Sequence, residues 1–525
     1  MTSDMCSLRR NLSLAFLLAL PAFAHAVTHT VTSLADDGSA GTLRALCASA
    51  ADGDEIVFDT SLAGGTITLV KTLGPLEYAG SLTIEGPASA PVTIDGGAGS
   101  VDQGIAYAGN SRTTYLIHAT GTAATTTLKN LVFIGSKANQ SKDTPDVGPA
   151  VSILGNAVID SCVWTNNGVA RSGNFGSADG GGCLRVGGNL TLENSRFNKN
   201  GVSAGSSNFS LGAAVLAKGT TVAVTNCVFS ETYGWGGSTT GSGNDIAAFA
   251  VGSATTRLTV EGCVFEKNLA LHGGGALYIA GGSGFFSVRN CRFVENKNTN
   301  NGIKHGGALT FGGAGSYLVE NCEFADNYCN GYGGAVRSQD TGASVVFANC
   351  TFVNNDGNDW GGAVDTRGPT WYVNCTAAGN VNRASNNNGP GTFFSTERST
   401  VNILNGALVW NWSNNGTVKN DTSKYGGTVN VYNSYNYPAG SAPSKEENVT
   451  RNYDETTAFF AEPLASVSSM TCFGNTYNFS QAITTPVLSP AADAATPRAV
   501  EIDRDGVLLS TGWPVRHDAD WSNIA

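Results

Sequence analysis

Aromatic residues standing directly before successive Gly-Gly pairs are the first side chains in this sequence that suggest chemistry: His305, Tyr332 and Trp360. Two residues after the Ala that follows each Gly-Gly pair stand Tyr278, Thr310, Arg337 and Asp365. Aromatic rings flanked by hydrogen-bonding groups suit sugars, which present an apolar face and a rim of hydroxyls. The pattern predicts a glycan-binding surface. Alternatively, the rings only cover the Gly-Gly bends and Arg337 pairs with Asp365 between repeats, a contact worth under about 1 kcal/mol if exposed.

The acidic residues indicate catalysis only weakly. Polysaccharide cleavage needs clustered carboxylates, for calcium or for acid–base work, beside a basic group. Loop acids that could converge are Asp340, Asp356 and Asp359, whereas one outward position of the repeats reads Glu193, Thr225, Glu261, Arg289, Glu320, Ala348 and Val373. No His-Glu-x-x-His, Gly-x-Ser-x-Gly or phosphate-loop motif occurs. We therefore predict no catalytic residue, no metal ligand and no cofactor.

These side chains belong to a repeat. Clear copies read GGGALYIAGGSGFFSVRNCRFVEN from 273, GGALTFGGAGSYLVENCEFADN from 306 and GGAVRSQDTGASVVFANCTFVNN from 333. One marker, Ala276, Ala308, Ala335 and Ala363, and a second marker, the Cys of each copy, keep a similar period. The content of Gly and β-branched residues excludes helical repeats, and leucine-rich or propeller frames do not fit. We predict a parallel β-solenoid with one coil per repeat.

Alternation within each repeat assigns side chains to the core or to solvent. In SVRNCRFVEN, it places Val288, Cys291 and Phe293 inward, Arg289 and Arg292 outward, and Asn290 at a bend. Charged residues then fall only at solvent positions.

The cysteines occupy one inward position of successive coils: Cys162, Cys227, Cys263, Cys291, Cys322, Cys350 and Cys375, with Ser195 in the same position of its own coil. A buried thiol behaves as a compact hydrophobe, so we predict a stack of unpaired thiols. Disulfides between neighbouring coils are the alternative, because their backbones lie close enough. Parallel side chains aim their sulfurs poorly for such bonds, and no close Cys-x-x-Cys spacing suggests zinc or an iron–sulfur cluster.

Two asparagine columns flank the cysteines. One precedes the Cys position and comprises Asn194, Asn226, Asn290, Asn321, Asn349 and Asn374. The other follows it by five residues and comprises Asn167, Asn200, Asn268, Asn296, Asn327, Asn355 and Asn380. Because Asn tolerates a left-handed backbone and its amide can bond to the next coil's amide, we interpret both columns as structural ladders.

The pairing of Gly-Gly-Ala-(Leu/Val) with Phe-x-x-Asn, as in FVEN (293–296), FADN (324–327) and FVNN (352–355), resembles the polymorphic outer-membrane protein repeat. The resemblance covers roughly residues 125–410 and implies a bacterial surface protein with a right-handed parallel β-helix, the pectin-lyase-like solenoid, often involved in adhesion. Residues 28–60 are similar to the start of many secreted β-helix proteins, with Leu43, Leu46, Cys47 and Ala50 on one face of a short capping helix. The chain departs from the family at its end, DADWSNIA, where a translocator barrel is common.

The N-terminal stretch 1–26 has the features of a secretory signal, with Arg9 and Arg10 before a short apolar run and small residues before a cleavage point after Ala26. No later apolar run is long enough to span a bilayer, so we predict no transmembrane segment in the mature chain. That chain would carry 28 basic and 40 acidic residues, which argues against nucleic acid as a partner. The predicted boundaries are 1–26 for the signal peptide, 27–64 for the N-terminal cap, 65–410 for the β-helix, with regular coils about 149–380, and 411–525 for C-terminal coils and cap.

The sequence thus predicts an exported, monomeric β-helix protein at the cell surface or outside the cell. It would act as an adhesin or glycan-binding scaffold, with a glycan or a neighbouring cell surface as partner. One alternative is a polysaccharide lyase or hydrolase of the pectate-lyase-like class, which shares this architecture. Another is a passive structural role or a shed surface-layer role. Fold alone does not decide between them.

Overall fold

The computed structural model describes residues 26–97, 115–141, 150–172, 182–204, 209–236, 244–270, 274–280, 282–299 and 305–383, and then 393–395, 399–404, 406–409, 411–413, 428–437, 445–451, 467–472, 475–478, 498–502 and 508–510. Over these residues the chain forms a right-handed parallel β-helix of about 10 turns with very little helix. The predicted fold class is confirmed. The candidate signal peptide lies outside the described residues, apart from Ala26, and the domain boundaries stay predictions.

One coil illustrates the path of the chain. It runs through Leu277–Ile279, Phe285–Arg289, Arg292–Val294 and Lys297–Asn298 before the next coil begins with Leu309–Phe311. Each strand pairs in parallel with its counterpart one coil away. Val288 and Phe293, within the second and third strands, and Cys291, between them, are buried, whereas Arg292 is exposed. The predicted alternation is confirmed in this coil.

The strands of successive coils stack into three parallel sheets within the described residues. Sheet A contains two strands per coil: Thr28–Val31, Asp54–Phe58, Thr66–Thr68, Leu82–Glu85, Val92–Asp95, Thr125–Lys129, Leu131–Ile134, Asn156–Asp160, Val163–Thr165, Leu190–Glu193, Arg196–Asn198, Thr221–Thr225, Val228–Ser230, Arg257–Glu261, Val264–Glu266, Phe285–Arg289, Arg292–Val294, Ser316–Glu320, Glu323–Ala325, Ser344–Ala348, Thr351–Val353, Thr370–Val373, Thr376–Ala378, Thr400–Leu404, Ala407–Val409, Thr428–Tyr437 and Lys445–Arg451.

The two smaller parallel sheets contain one strand per coil. Sheet B comprises Lys137–Ser141, Gly168–Ser172, Gly201–Ala204, Tyr233–Gly236, Leu269–Ala270, Lys297–Asn298, Tyr328–Cys329, Asp356–Gly357, Val381–Asn382 and Trp412–Ser413. Sheet C comprises Leu76–Tyr78, Ile117–Ala119, Val151–Ile153, Leu184–Val186, Phe209–Ala217, Asn244–Val251, Leu277–Ile279, Leu309–Phe311, Val336–Ser338, Val364–Thr366 and Phe393–Ser395. A separate four-stranded sheet near the C-terminus contains Val467–Cys472, Asn475–Asn478, Arg498–Ile502 and Leu508–Ser510.

A short helix, Leu43–Ser49, lies near the N-terminal end of the solenoid. Thr42 caps it by accepting a hydrogen bond from the Ala45 amide. Leu43 and Cys47 are buried, and Leu46 and Ala50 pack against the same core, so the predicted apolar face is confirmed. Two 3₁₀ turns, Thr60–Leu62 and Lys71–Leu73, follow.

Aromatic rings fill the core behind the second strand of each coil in sheet A. Their centroids lie 4.6 to 5.0 Å apart in a continuous stack of Phe133, Trp164, Phe197, Phe229, Phe265, Phe293, Phe324 and Phe352. This distance matches the spacing of neighbouring strands, about 4.8 Å. The Phe of the Phe-x-x-Asn motif therefore recurs because each ring lies on the ring of the coil before.

The asparagines before the Cys position lie at the bend between the two strands of sheet A. Their φ angles are all positive, between 50° and 54°, which Asn tolerates better than other non-glycine residues. The side chains also bond along the solenoid; Asn349 Nδ2, for example, donates to Asn321 Oδ1 at 3.0 Å. Both parts of the ladder interpretation are confirmed for this column.

The second asparagine column is buried where sheet A turns into sheet B. Asn327 is typical: its Oδ1 accepts hydrogen bonds from the main-chain and side-chain nitrogens of Asn296, each at 3.0 Å, and its Nδ2 donates to Phe293 O and Asn355 Oδ1, each at 2.9 Å. These bonds use the full capacity of each amide. Asn411, which the repeat pattern did not include, continues the ladder by accepting from Asn380.

The thiols form a third ladder. The ten cysteines whose side chains are described are buried and unpaired, as predicted. They are more than compact hydrophobes, however, because each stacked sulfur lies within hydrogen-bonding distance of the carbonyl two residues earlier, at 3.2 Å for Cys322 and Glu320. Cys263 Sγ also accepts from the Cys227 amide at 3.4 Å. Ser195 makes the same contacts, donating to Glu193 O and accepting from the Cys162 amide, which explains why Ser fits this position.

Loss of one buried ladder amide should destabilise the solenoid strongly. Asn327→Ala removes the acceptor of the Asn296 amide and side chain, the donor to the Phe293 carbonyl and one of the two bonds from residue 327 to Asn355 Oδ1. We therefore expect a loss of about 2–4 kcal/mol in the free energy of unfolding. The control Asn321→Gly, in the other column, keeps the left-handed bend and should cost less than about 1 kcal/mol. Urea unfolding followed by circular dichroism measures both. Equal costs would contradict a special role for the buried ladder.

Alkylation should separate folded from unfolded thiols. All the cysteines whose side chains are described are buried, and burial raises the pKa of Cys162 to about 12, so almost none of that thiol is a reactive thiolate at neutral pH. We expect iodoacetamide to label few cysteines in the native protein and most of them in denaturant without reductant, as counted by mass spectrometry. Resistance to labelling in denaturant would reveal disulfides.

Candidate functional site

The Gly-Gly segments lie against neighbouring coils at the corner where the chain passes from sheet B to sheet C. A Cβ atom at Gly334 would run into the Gly362 carbonyl of the next coil, and one at Gly306 would run into the Leu309 carbonyl and approach the Arg337 amide. Gly333 adopts a φ of 67°, which favours glycine. Glycine therefore lets these segments lie against sheet C and the next coil.

The residues two positions after each Ala form one column on sheet C. Register pairs Tyr278 with Thr310, Thr310 with Arg337, and Arg337 with Asp365. This arrangement in neighbouring coils is as the repeat predicts. All four side chains are nevertheless at most 5 % exposed, so the expectation that charged residues fall only at solvent positions is wrong at Arg337 and Asp365.

The physical reason is that the residues before the Gly-Gly pairs cover this column. The Tyr332 ring lies over the Arg337 guanidinium, with 4.8 Å between Cζ and the ring centroid, and the Gly306 amide donates to Thr310 Oγ1 at 3.0 Å. His305 contacts Tyr278 edge to face at a centroid distance of 6.0 Å and lies 2.7 Å from the Gln339 amide nitrogen through Nδ1. Sequence alternation detects which side of a strand a residue takes, but not what folds over that side.

Arg337 and Asp365 form a salt bridge between adjacent coils. This pairing is the structural alternative to ligand binding. Because the pair is buried, the estimate of under about 1 kcal/mol for an exposed ion pair does not apply to it. Two charges removed from water depend on each other, because either one alone would carry an uncompensated desolvation cost. In this structure the Tyr332 ring covers the Arg337 guanidinium, and the burial of both side chains places Arg337 and Asp365 out of direct reach of a ligand.

The rings of Tyr332 and Trp360 remain half-buried at the corner. Their centroids lie 4.8 Å apart with an angle of 48° between the planes, and main-chain bonds join the two segments, as from Gly333 N to Trp360 O at 2.7 Å. They form a short aromatic surface across two coils. Among the six predicted binding residues, these two combine partial exposure with direct contact to each other. The other four, His305, Tyr278, Arg337 and Asp365, are buried.

Sequence reasoning missed the polar residues beside these rings. Asn358 Nδ2 donates to Asn330 Oδ1 at 2.9 Å, and the Tyr328 hydroxyl donates to the same oxygen at 3.3 Å. Arg383, on the following coil, donates through Nε to both carboxylate oxygens of Asp356, at 2.7 and 2.6 Å. The signal was present, because YCNGYGGA from 328 aligns with DGNDWGGA from 356. We call residues 328–332 and 356–360 together the aromatic corner.

Two of the acids considered for catalysis have structural partners. Asp340 accepts the Gly342 amide within its own turn at 2.8 Å, and Asp356 is engaged by Arg383. On sheet A, Glu320 is 4 % exposed and its Oε2 lies 3.1 Å from Arg289 Nε. Burial raises the pKa of the Glu320 carboxyl, and the attraction of Arg289 offsets this only in part. Within the described ranges, no three or more His, Cys, Asp or Glu side chains are grouped so that they could hold a metal ion.

Comparisons of the chain with models of protein families, with curated proteins and with solved structures found no match. Across the part of the chain that the structure describes, no helix has the length and apolar character needed to cross a membrane.

Breaking the buried ion pair from one side should cost far more than removing both partners. Asp365→Leu leaves the Arg337 guanidinium buried without its counter-charge, so we expect a loss of about 3–5 kcal/mol in stability. The double variant Arg337→Met/Asp365→Leu should recover most of that loss. In the surface pair of Arg292 and Glu323, whose side chains are 58 % and 40 % exposed, Glu323→Ala should cost at most about 1 kcal/mol. Unfolding in urea gives all three values, and a double variant no more stable than Asp365→Leu would contradict the buried pairing.

Proposed function

We propose that this protein is an exported β-helix scaffold that binds glycans at the aromatic corner, at a cell surface or outside the cell. The β-solenoid itself is established. Export rests on the signal-like N-terminal stretch 1–26, and a surface role rests on the resemblance to the polymorphic outer-membrane protein repeat. The binding role rests on the geometry of the corner.

One observation carries the glycan proposal: an aromatic pair and an amide pair lie on two neighbouring coils, and a carboxylate–guanidinium pair joins the second of these coils to the following one. The rings of Tyr332 and Trp360 offer a surface on which the apolar face of a sugar can stack. The Asn330 and Asn358 amides supply both donors and acceptors for hydroxyl groups. Because the same positions recur one coil apart, about 4.8 Å, the surface suits a chain of sugar units rather than a compact ligand.

Charge narrows the class of glycan. The guanidinium of Arg383 is engaged by Asp356 and that of Arg337 by Asp365, so neither is a free cation for an acidic sugar. The whole chain carries a net charge of −11, which repels polyanions at low ionic strength. We therefore expect neutral glycans to bind more tightly than uronic-acid polymers.

The test is a panel of neutral and acidic glycans presented to the wild type and to Tyr332→Ala/Trp360→Ala. We expect the double variant to lose at least about tenfold in affinity, since stacking worth about 1.4 kcal/mol corresponds to that factor. Tyr233→Ala is the matched control, because Tyr233 is also half-buried and lies on sheet B three coils away from Tyr328. Circular dichroism should be unchanged in all variants.

Two results would overturn the proposal. Binding that survives the double variant would leave the rings as packing alone. Shortening of a glycan by the wild type, detected as new reducing or unsaturated ends, would instead favour the lyase or hydrolase interpretation.

A further inference from the structure

An outward column of sheet A changes character along the solenoid. The register runs from Thr191 through Ala223, Thr259 and Ser287 to Leu318, Val346 and Trp371. Thr191, Ala223 and Thr259 are partly exposed, whereas Leu318, Val346 and Trp371 are 0 %, 0 % and 2 % exposed. In the coils of Leu318, Val346 and Trp371 the column is thus both apolar and covered, and the residue that follows in register, Asn402, is polar and 4 % exposed.

The adjacent outward column changes at the same place. Glu193 and Glu261 are exposed, but Ala348, Val373 and Leu404 are at most 1 % exposed. Each of these strands pairs with the preceding coil along one edge and with the following coil along the other, and its remaining side chains face the core. We call the outward side chains of Leu318, Val346, Ala348, Trp371, Val373 and Leu404 the covered face.

We propose that the covered face is the docking site of the chain's own C-terminal segment, residues 452–525. Contiguous apolar patches of this kind rarely stand open to water in a monomeric protein. The face lies on the last coils before the segment, which starts directly after Arg451, where the last strand of sheet A ends. That strand is five strand spacings from Ser316–Glu320, about 24 Å, which about eight extended residues would bridge.

The segment has the composition that the face requires. Near its start it contains the run AFFAEPLASV from 458 to 467, which includes Phe459, Phe460 and Leu464. Aromatic and aliphatic side chains at this density match a face of Leu, Val and Trp. The run contains one carboxylate, Glu462, and Glu320 at the edge of the face is paired with Arg289. This docking is independent of glycan binding, because the aromatic corner lies between sheets B and C and not on sheet A.

Limited proteolysis of the full-length chain tests the docking. Leu318→Asp places a charge on the covered face without entering the core, and Thr191→Asp places the same charge in the same column where it is partly exposed. We expect thermolysin to cleave within residues 452–525 at least about tenfold faster in Leu318→Asp than in the wild type or in Thr191→Asp, since cleavage follows the population of the open form. Val346→Asp should reproduce the effect from a neighbouring coil, and Phe460→Asp should do so from the segment. Mass spectrometry locates the cuts.

Circular dichroism must remain strand-dominated in these variants, so that released docking is separated from lost folding. Equal cleavage rates in Leu318→Asp and Thr191→Asp would overturn the proposal. So would a dimeric wild type that Leu318→Asp converts to a monomer, measured by sedimentation, with no change in cleavage within residues 452–525, because the face would then be covered by a second copy.

Discussion

In-register parallel pairing between coils is the constraint on which the rest of this structure depends. It places every side chain directly over the equivalent side chain of the next coil at about 4.8 Å. A column is therefore favoured when its side chains interact well with copies of themselves stacked above and below. Flat rings, amides and small hydrogen-bonding groups satisfy that condition, and they are the residues that recur: Phe in the core stack, Asn at both bends and Cys between them.

The ladders also solve the problem of burying polar main-chain groups at corners. Where a coil bends, carbonyl and amide groups lose their regular partners, and an unsatisfied buried group costs about 1–3 kcal/mol. The buried asparagines satisfy these groups by accepting from main-chain amides and donating to main-chain carbonyls. The thiols do the same through a sulfur that acts as both acceptor and donor. Cysteine in this protein is thus part of the hydrogen-bonding framework, and a disulfide would remove the S–H donor from that framework.

In such a solenoid, we expect binding surfaces at positions where the residue type of a column changes from one coil to the next. One column, formed by Tyr278, Thr310, Arg337 and Asp365, changes residue type at every coil. The aromatic corner lies on two neighbouring coils, and its Tyr332 ring covers Arg337 in this column. Likewise, the outward columns of sheet A change from Thr and Glu to Leu, Val and Trp. Both departures create local surfaces on a framework that otherwise repeats, and each is anchored by rigid strands.

The sequence by itself determined the architecture, because the physical information for it is periodic and local. The Ala and Cys spacings established one coil per repeat, alternation placed Val288, Cys291 and Phe293 in the core, and the tolerance of Asn for a left-handed backbone explained the bends. The pairing of Arg337 with Asp365 also followed from register alone. Only the tertiary structure decided what lies over an outward column, because alternation distinguishes the two sides of a strand but contains nothing about segments that fold across it. For that reason the burial of Arg337, Asp365 and Glu320 was not foreseen, and the partnership of Asn330 with Asn358 became visible only when two loops of similar sequence lay side by side.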